Sequence, residues 1–258
     1  MWMPKQGSCS KITRSDFQLL IQGKIPAIII KNFYSKNQCD EISQKINSIQ
    51  KSDFSNTKLE HIGTFLMAHA TKRKEYFENV KKDKKKRQEI FSTDIEPTVR
   101  IFKIFKKLFP EYEVSTAKEL KNEFSPYIIR IHKKGKSIPI HKDNVKYEGR
   151  EYKLSKIDSQ LSCILHIQES EKGGELIIYD KNWSMEDEKF RKIDFGYYPE
   201  IISESNCCRI SNLKAGDLAI INPNYFHQVT KIEGEAPRIS LGMFIGIFKK
   251  YQQIVGWA

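Results

Sequence analysis

Residues 137–144 read Ser137-Ile-Pro-Ile-His-Lys-Asp-Asn144, a short apolar run that closes on His141 and Asp143. The run is too short for a helix and is bounded by turn-forming residues, so it predicts a strand. Six further runs of the same texture surround it: Tyr127–His132, Leu161–Ile167, Glu175–Tyr179, Asp217–Ile221, His227–Lys231 and Arg238–Phe248. Gly, Pro, Asn or charged turns separate them. Seven such strands in about 120 residues predict a sandwich or barrel. The stretch from Tyr179 to Arg209 is less regular, and Trp183–Tyr198 reads as an insertion or lid over one mouth.

Upstream of Pro126 the texture is mostly helical. Pro26-Ala-Ile-Ile-Ile30 is a buried strand by its apolar run between lysines. A helix follows, because Ser35 and Gln38 have capping-box spacing and Cys39, Ile42, Ile46 and Ile49 recur at helical intervals. Glu96–Phe109 predicts another, with Phe102, Phe105 and Phe109 on one stripe. The expected organisation is one domain over 1–258: a mainly helical support region at 1–125, the strand-rich core at 126–248, and a tail at 249–258.

With 258 residues the chain can bury a sizeable core without disulfides. Its five cysteines, an odd number without a CxxC pair, point to a reducing compartment and away from a zinc site, and adjacent Cys207 and Cys208 are unsuited to a disulfide. No apolar run approaches the ~20 residues of a membrane span, and the first residues lack a signal-type apolar region, so a cytoplasmic location is expected. The net charge is +12, and Lys72–Arg87, with nine basic residues against Glu75, Glu78 and Asp83, supplies half of it. That stretch is either a patch for nucleic acid, anionic lipid or an acidic substrate, or a solvated helix face with Tyr76, Phe77 and Val80 turned inward.

The chemistry lies on the strands. In extended backbone residues i and i+2 share a face, so His141 and Asp143 can converge on one ion while Lys142 points away. His227, from a distant strand, completes a 2-His-1-carboxylate face that leaves open positions, as in non-haem Fe(II) oxygenases. Arg238 and Ser240, again i and i+2, offer a guanidinium fork and a hydroxyl for the distal carboxylate of a keto-acid co-substrate.

With His141-Lys-Asp-Asn, Gly173-Gly-Glu-Leu176, Ala215-Gly-Asp217, Tyr225-Phe-His227 and Pro237-Arg-Ile-Ser240, residues 126–248 resemble the Fe(II)/2-oxoglutarate-dependent oxygenases. Within them the chain is most similar to the welwitindolinone-type freestanding halogenases of alkaloid biosynthesis and their hydroxylase relatives. The features shared with that group are Ile129-Arg130, Leu161-Ser162, the GGEL run followed by an aromatic and then Trp183, and an aromatic C-terminal tail. Ile28-Ile-Ile-Lys-Asn-Phe33 and Leu66-Met-Ala-His-Ala70 extend the match upstream.

The resemblance implies an α+β fold, with a double-stranded β-helix core (a cupin-like jelly roll) against which the N-terminal helices pack. It also implies Fe(II) as metal and 2-oxoglutarate and O2 as co-substrates. The halogenases carry a small residue where this chain has Asp143, and chloride takes the vacated position. With the carboxylate present, hydroxylation is expected in place of halogen transfer, with desaturation or ring formation as variants of the same radical chemistry.

Further roles are expected nearby. Arg130 touches the co-substrate or a substrate anion, or is an outward salt-bridged arginine. Ser162 hydrogen-bonds near the metal or is satisfied locally; Asn144 orients substrate or serves the turn; His166 is a pocket or core histidine. His61, His69 and His132 lack ligand spacing, and Gly173-Gly174 supplies a tight strand connection. The expected substrate is a small molecule, an amino acid, nucleotide or natural-product scaffold, and the basic balance is compatible with an anionic one. A nucleic acid or protein substrate engaging 72–87 is an alternative, as is a non-catalytic binding barrel. The oligomeric state is left open.

Overall fold

In the computed structural model, which describes residues 2–49, 52–54, 59–193 and 195–258 and only the backbone of 52–54, eight strands form the roll. They are β1 (Ile128–His132), β2 (Ile138–His141), β3 (Ser159–Gln168), β4 (Leu176–Asn182), β5 (Cys207–Ile210), β6 (Leu218–Ile221), β7 (Tyr225–Val229) and β8 (Arg238–Phe248). Strands β6, β3, β8 and β1 lie side by side in one sheet; β5, β4, β7 and β2 make the other. All of these neighbours are antiparallel. Two four-stranded layers in this order are a jelly roll, the fold class expected of the sequence.

The larger sheet grows beyond the roll at both edges. Ala27–Ile30 pairs antiparallel with β6, and Lys5–Gly7 adds to it in parallel. On the other side Leu59–Ile62 pairs with β1, and Ser52–Phe54 with Leu59–Ile62. Strand β8 holds β1 along residues 238–242 and Gln253–Trp257 along 244–248. Part of the segment read as a tail is therefore a strand, and it is anchored by Trp257, 1% exposed, against Phe244. The strand β5 lies in the stretch read as irregular. It is an edge strand that buries only Ile210, so its sequence, Cys207-Cys-Arg-Ile210, shows no clear alternation.

Alternation along the central strands decides which face does what. Ile129 and Ile131 of β1, Leu161, Cys163 and Leu165 of β3, and Ile239 and Leu241 of β8 join one core. That core is closed by α1 (Arg14–Ile21), α2 (Lys36–Ser48) and α4 (Pro97–Leu108) through Phe17, Leu20, Ile42, Ile46, Ile101 and Phe105. The intervening residues, among them Arg130, Ser162, Ile164, Arg238 and Ser240, line a cavity on the sheet's other face. The helix starts agree with their sequence signals: Ser35 and Gln38 form the capping box of α2, and Glu96 accepts from Val99 N ahead of Pro97 in α4.

The basic stretch forms most of α3 (Arg73–Ile90). Tyr76, Phe77 and Val80 are buried with Phe124, Tyr152 and Trp257, while Lys74, Lys81, Lys82, Lys84 and Lys85 face solvent. This is the solvated-face arrangement. No helix among the described residues is long and apolar enough to cross a membrane.

Candidate active site

His141 ends β2 and His227 sits within β7, directly opposite it in register. Asp143 follows in the connection out of β2, where its backbone N–H donates to Pro223 O at 2.8 Å and ties that connection to the turn before β7. Among the described residues these three form a cluster whose potential ligand atoms all lie within 4.8 Å of one another. Asp143 Oδ2 is 3.9 Å from His141 Nε2 and 3.6 Å from His227 Nε2.

The histidines are oriented from behind. Each Nδ1–H donates at 2.8 Å to a carbonyl two residues earlier, Pro139 O for His141 and Tyr225 O for His227. Those bonds fix the ring planes and leave the Nε2 lone pairs facing Asp143. Burial, with His227 alongside, pushes the His141 ring down to about 3, so it is a neutral donor. Burial would raise the Asp143 carboxyl, but in the acid range where it titrates the flanking His227 and His141 rings, then protonated, and the Arg130 charge outweigh it and hold it at about 2. Two imidazole lone pairs and a carboxylate oxygen on one side of a cavity are a donor set suited to Fe(II), with the open side left for co-substrates.

The cavity, about 300 Å³, has a polar end and an apolar end. At the polar end Arg238 is 2% exposed, donates from Nη1 to Ser240 Oγ at 3.1 Å and lies 3.4 Å from His132 Nδ1. Burial, then the Arg238 and Arg130 charges, keep His132 neutral, so its Nδ1 is free to accept from Arg238. Arg238 Nε and His132 Nε2 are buried with no partner among the described residues. An uncompensated buried guanidinium N–H is costly, and a ligand carboxylate at this end would satisfy it. Gly174 makes room for the arginine stem: a Cβ there would stand 2.9 Å from Arg238 Cδ.

Arg130 also lines the cavity, from the row of β1 paired with Ser240. Its Nη1 occupies the space over Gly242, where a Cβ would come within 2.5 Å. No hydrogen bond or ion pair to its side chain is made among the described residues. Ser162 lines the wall at 7% exposure. Asn144 is not brought to this cavity; its side chain caps Tyr147 N, so turn chemistry accounts for it. His166 is fully buried, bonded through Nδ1 to Glu169, and does not line the cavity.

Three features escaped the sequence. His132, without ligand spacing, sits beside Arg238 because the two are cross-strand partners. His61 lines the cavity from Leu59–Ile62, the strand added next to β1. Lys142, expected to point away, lines the same cavity; its side chain is wholly buried and pairs with Glu148. A lysine between two candidate ligands was the available signal, since solvent exposure is its ordinary fate.

The family model of the carrier-protein-independent halogenase WelO5 matches residues 9–258. The chain belongs to this family. The family and the His-Asp-His cluster make Fe(II), 2-oxoglutarate and O2 its metal and co-substrates, and the chain is an Fe(II)/2-oxoglutarate-dependent oxygenase.

Leucinostatins biosynthesis cluster protein S of Purpureocillium lilacinum is 29% identical over 113 residues, which covers 42% of this chain and 46% of that protein, under half its length. Among solved structures, an N-substituted L-amino acid dioxygenase from Burkholderia ambifaria in complex with α-ketoglutarate superposes with a TM-score of 0.63 at 13% identity, over 95% of this chain and 91% of that one. The carbocyclase SnoK of nogalamycin biosynthesis does so with 0.56 at 8% identity, over 94% and 87%. At these identities the two structures speak for the fold.

Proposed function

We propose that this WelO5-family protein hydroxylates an unactivated C–H bond of a small molecule, with 2-oxoglutarate and O2 converted to succinate and CO2. The observation that carries the reading is Asp143. Its carboxylate stands beside both histidine Nε2 atoms, where the halogenases it resembles have a small residue and a chloride. Bound Fe(II) supplies oxygen activation, driven by decarboxylation of the keto acid; one oxygen atom enters succinate and the other the product alcohol.

The chain's own residues hold and orient. His141, His227 and Asp143 are the metal ligands in this proposal, and Arg238 with Ser240 grips the distal carboxylate of 2-oxoglutarate. Arg130, cationic and between the two groups, balances the anionic co-substrate, and Ser162 is a hydroxyl on the cavity wall. Phe65, Leu66, Met67, Ile128 and Phe244 form the apolar end and shelter the substrate's hydrocarbon from water. A cavity of this size suits a small molecule rather than a polymer, and the likeness to a leucinostatin-cluster protein favours a natural-product scaffold.

The test is anaerobic loading with Fe(II) and 2-oxoglutarate, then exposure to O2 with a panel of amino acids and peptide natural products in chloride buffer. Products gaining one oxygen, in step with succinate, are expected. Chlorinated products from the unaltered chain would overturn the reading.

A further inference from the structure

Lys142, between His141 and Asp143, is wholly buried, and Nζ donates to Glu148 Oε1 at 2.6 Å. The same ammonium lies 4.5 Å from the centroid of the Trp183 ring and 4.8 Å from that of Tyr147. Tyr147 belongs to the turn after Asp143, whereas Trp183 begins the segment, here called the roof, that brings Arg191 and Phe195 to the cavity. One cation therefore holds a π face from each, and their rings stand 4.8 Å apart.

The segment carries this contact onward. Glu188 accepts from Trp183 Nε1 at 2.8 Å, Tyr197 OH at 2.5 Å, Arg191 Nη1 at 3.1 Å and Tyr147 OH at 3.4 Å. The chain then returns to β2, where Tyr197 N donates to Ile140 O at 2.8 Å and the Phe195 ring lies 5.5 Å from His141. Gly196 permits that approach: at φ +86° a Cβ would stand 2.8 Å from Ile140 O. Arg191 and Phe195 face the cavity. The roof thus meets β2 and the residues just after it at two places, and Lys142 is the charged one.

A plain ion pair with Glu148 would need neither ring. Buried ammonium is tolerated only when fully compensated, and here a carboxylate and two aromatic faces do so together. We propose that Lys142 is a positioning residue that ties the described residues of the roof segment, 183–193 and 195–197, to the stretch bearing His141 and Asp143, so that metal loading and roof placement respond to each other. This rests on the reading of the cavity as the oxidation site, although the tie itself is measurable without metal.

Amide hydrogen exchange over residues 183–197 tests it, on the full chain, first metal-free and then anaerobically with Fe(II) and 2-oxoglutarate. In the unaltered chain loading slows roof exchange. Lys142→Met is expected to speed metal-free roof exchange about tenfold and to erase the response to loading, while Ser159–Gln168 keeps its protection as a measure of the fold. Lys142→Met with Glu148→Gln leaves no unpaired carboxylate and is expected to behave alike; Lys142→Arg restores part of the protection.

Unchanged roof exchange with the loading response intact overturns the tie. So does a roof released in the single variant but not in the double one, since the stranded Glu148 charge is then the cause. Should Ser159–Gln168 also lose protection, Trp183→Leu decides from the roof side: it must release the roof and weaken the response. The functional reading fails separately, if the unaltered chain consumes no 2-oxoglutarate with Fe(II).

Discussion

His141 and His227 are opposed residues of β2 and β7, with ring centroids 4.1 Å apart and both Nδ1–H groups committed to backbone carbonyls. Their Nε2 lone pairs and the Asp143 carboxylate then face one another. Three such donors at close range repel unless a cation lies among them.

His227→Ala or Asp143→Ala is therefore expected to abolish Fe(II)-dependent succinate formation and to weaken Fe(II) binding about 100-fold or more, with the circular dichroism spectrum unchanged. Turnover at the unaltered rate by either variant would sink the ligand assignment.

On the proposed ligand set, Asp143→Gly would empty one coordination position and leave both histidines in place. The expected outcome is chloride binding at the loaded site and some chlorinated product, with hydroxylation reduced. Isotope-resolved mass spectrometry of the products is the measurement, and hydroxylation at the original rate would show that Asp143 never contacted the metal.

The roll was legible because its inner strands alternate. In β8, Arg238, Ser240 and Phe244 face the cavity while Ile239, Leu241 and Ile245 face the helices, a period that sequence displays directly. The triad was legible for the same reason, with spacing i, i+2 in extended backbone. The edge strand β5 was not, because one buried residue in four leaves no pattern. His132 and Lys142 were not, because their roles come from tertiary neighbours: Arg238 across a strand pair, and Trp183 from a segment 41 positions further on. Asn144 was ambiguous in sequence; in the structure its side chain caps Tyr147 N and does not line the cavity.

Arg238→Lys keeps the charge but loses the fork, so one donor geometry goes while the buried site stays polar. An approximately 10- to 100-fold weaker 2-oxoglutarate affinity is expected, from the ~1.5–3 kcal/mol of a charge-assisted hydrogen bond. Fe(II) affinity should not move. Anaerobic titration calorimetry separates the two, and an equal loss in both would place Arg238 at the metal instead.

Acid should weaken the metal-free fold before it reaches the ordinary carboxylate range. An unfolded imidazole takes up its proton near ~6.5, whereas His141 in the fold resists it down to about 3, so only the unfolded chain gains that proton in between. Stability falls as pH drops through this window. Asp143 adds in the same direction lower down: its contribution is present above ~3.9 and lost as pH falls toward 2. His141→Gln removes the first effect, and the unfolding free energy from urea titrations is expected to fall by about 3 kcal/mol less between pH 6.5 and 4 in this variant than in the unaltered chain. Identical slopes would mean that the folded His141 ring is already protonated.

Gly174 and Gly135 together separate backbone strain from site geometry. Both have positive φ, +75° and +82°, so alanine at either strains the backbone by about 1–2 kcal/mol. They differ in what the new methyl meets. At Gly135 nothing lies within 4 Å, whereas at Gly174 the Cβ stands 2.7 Å from Ile232 Cδ1 and 2.9 Å from both Arg238 Cδ and Ser170 Oγ. Gly135→Ala is accordingly expected to lower stability while leaving 2-oxoglutarate affinity as it was. Gly174→Ala should lower stability further and also weaken the co-substrate about tenfold, because the arginine stem must shift to admit the methyl. Equal co-substrate affinity in the two variants would show that Arg238 accommodates the methyl without moving its guanidinium, and the glycine would then serve only the turn between β3 and β4.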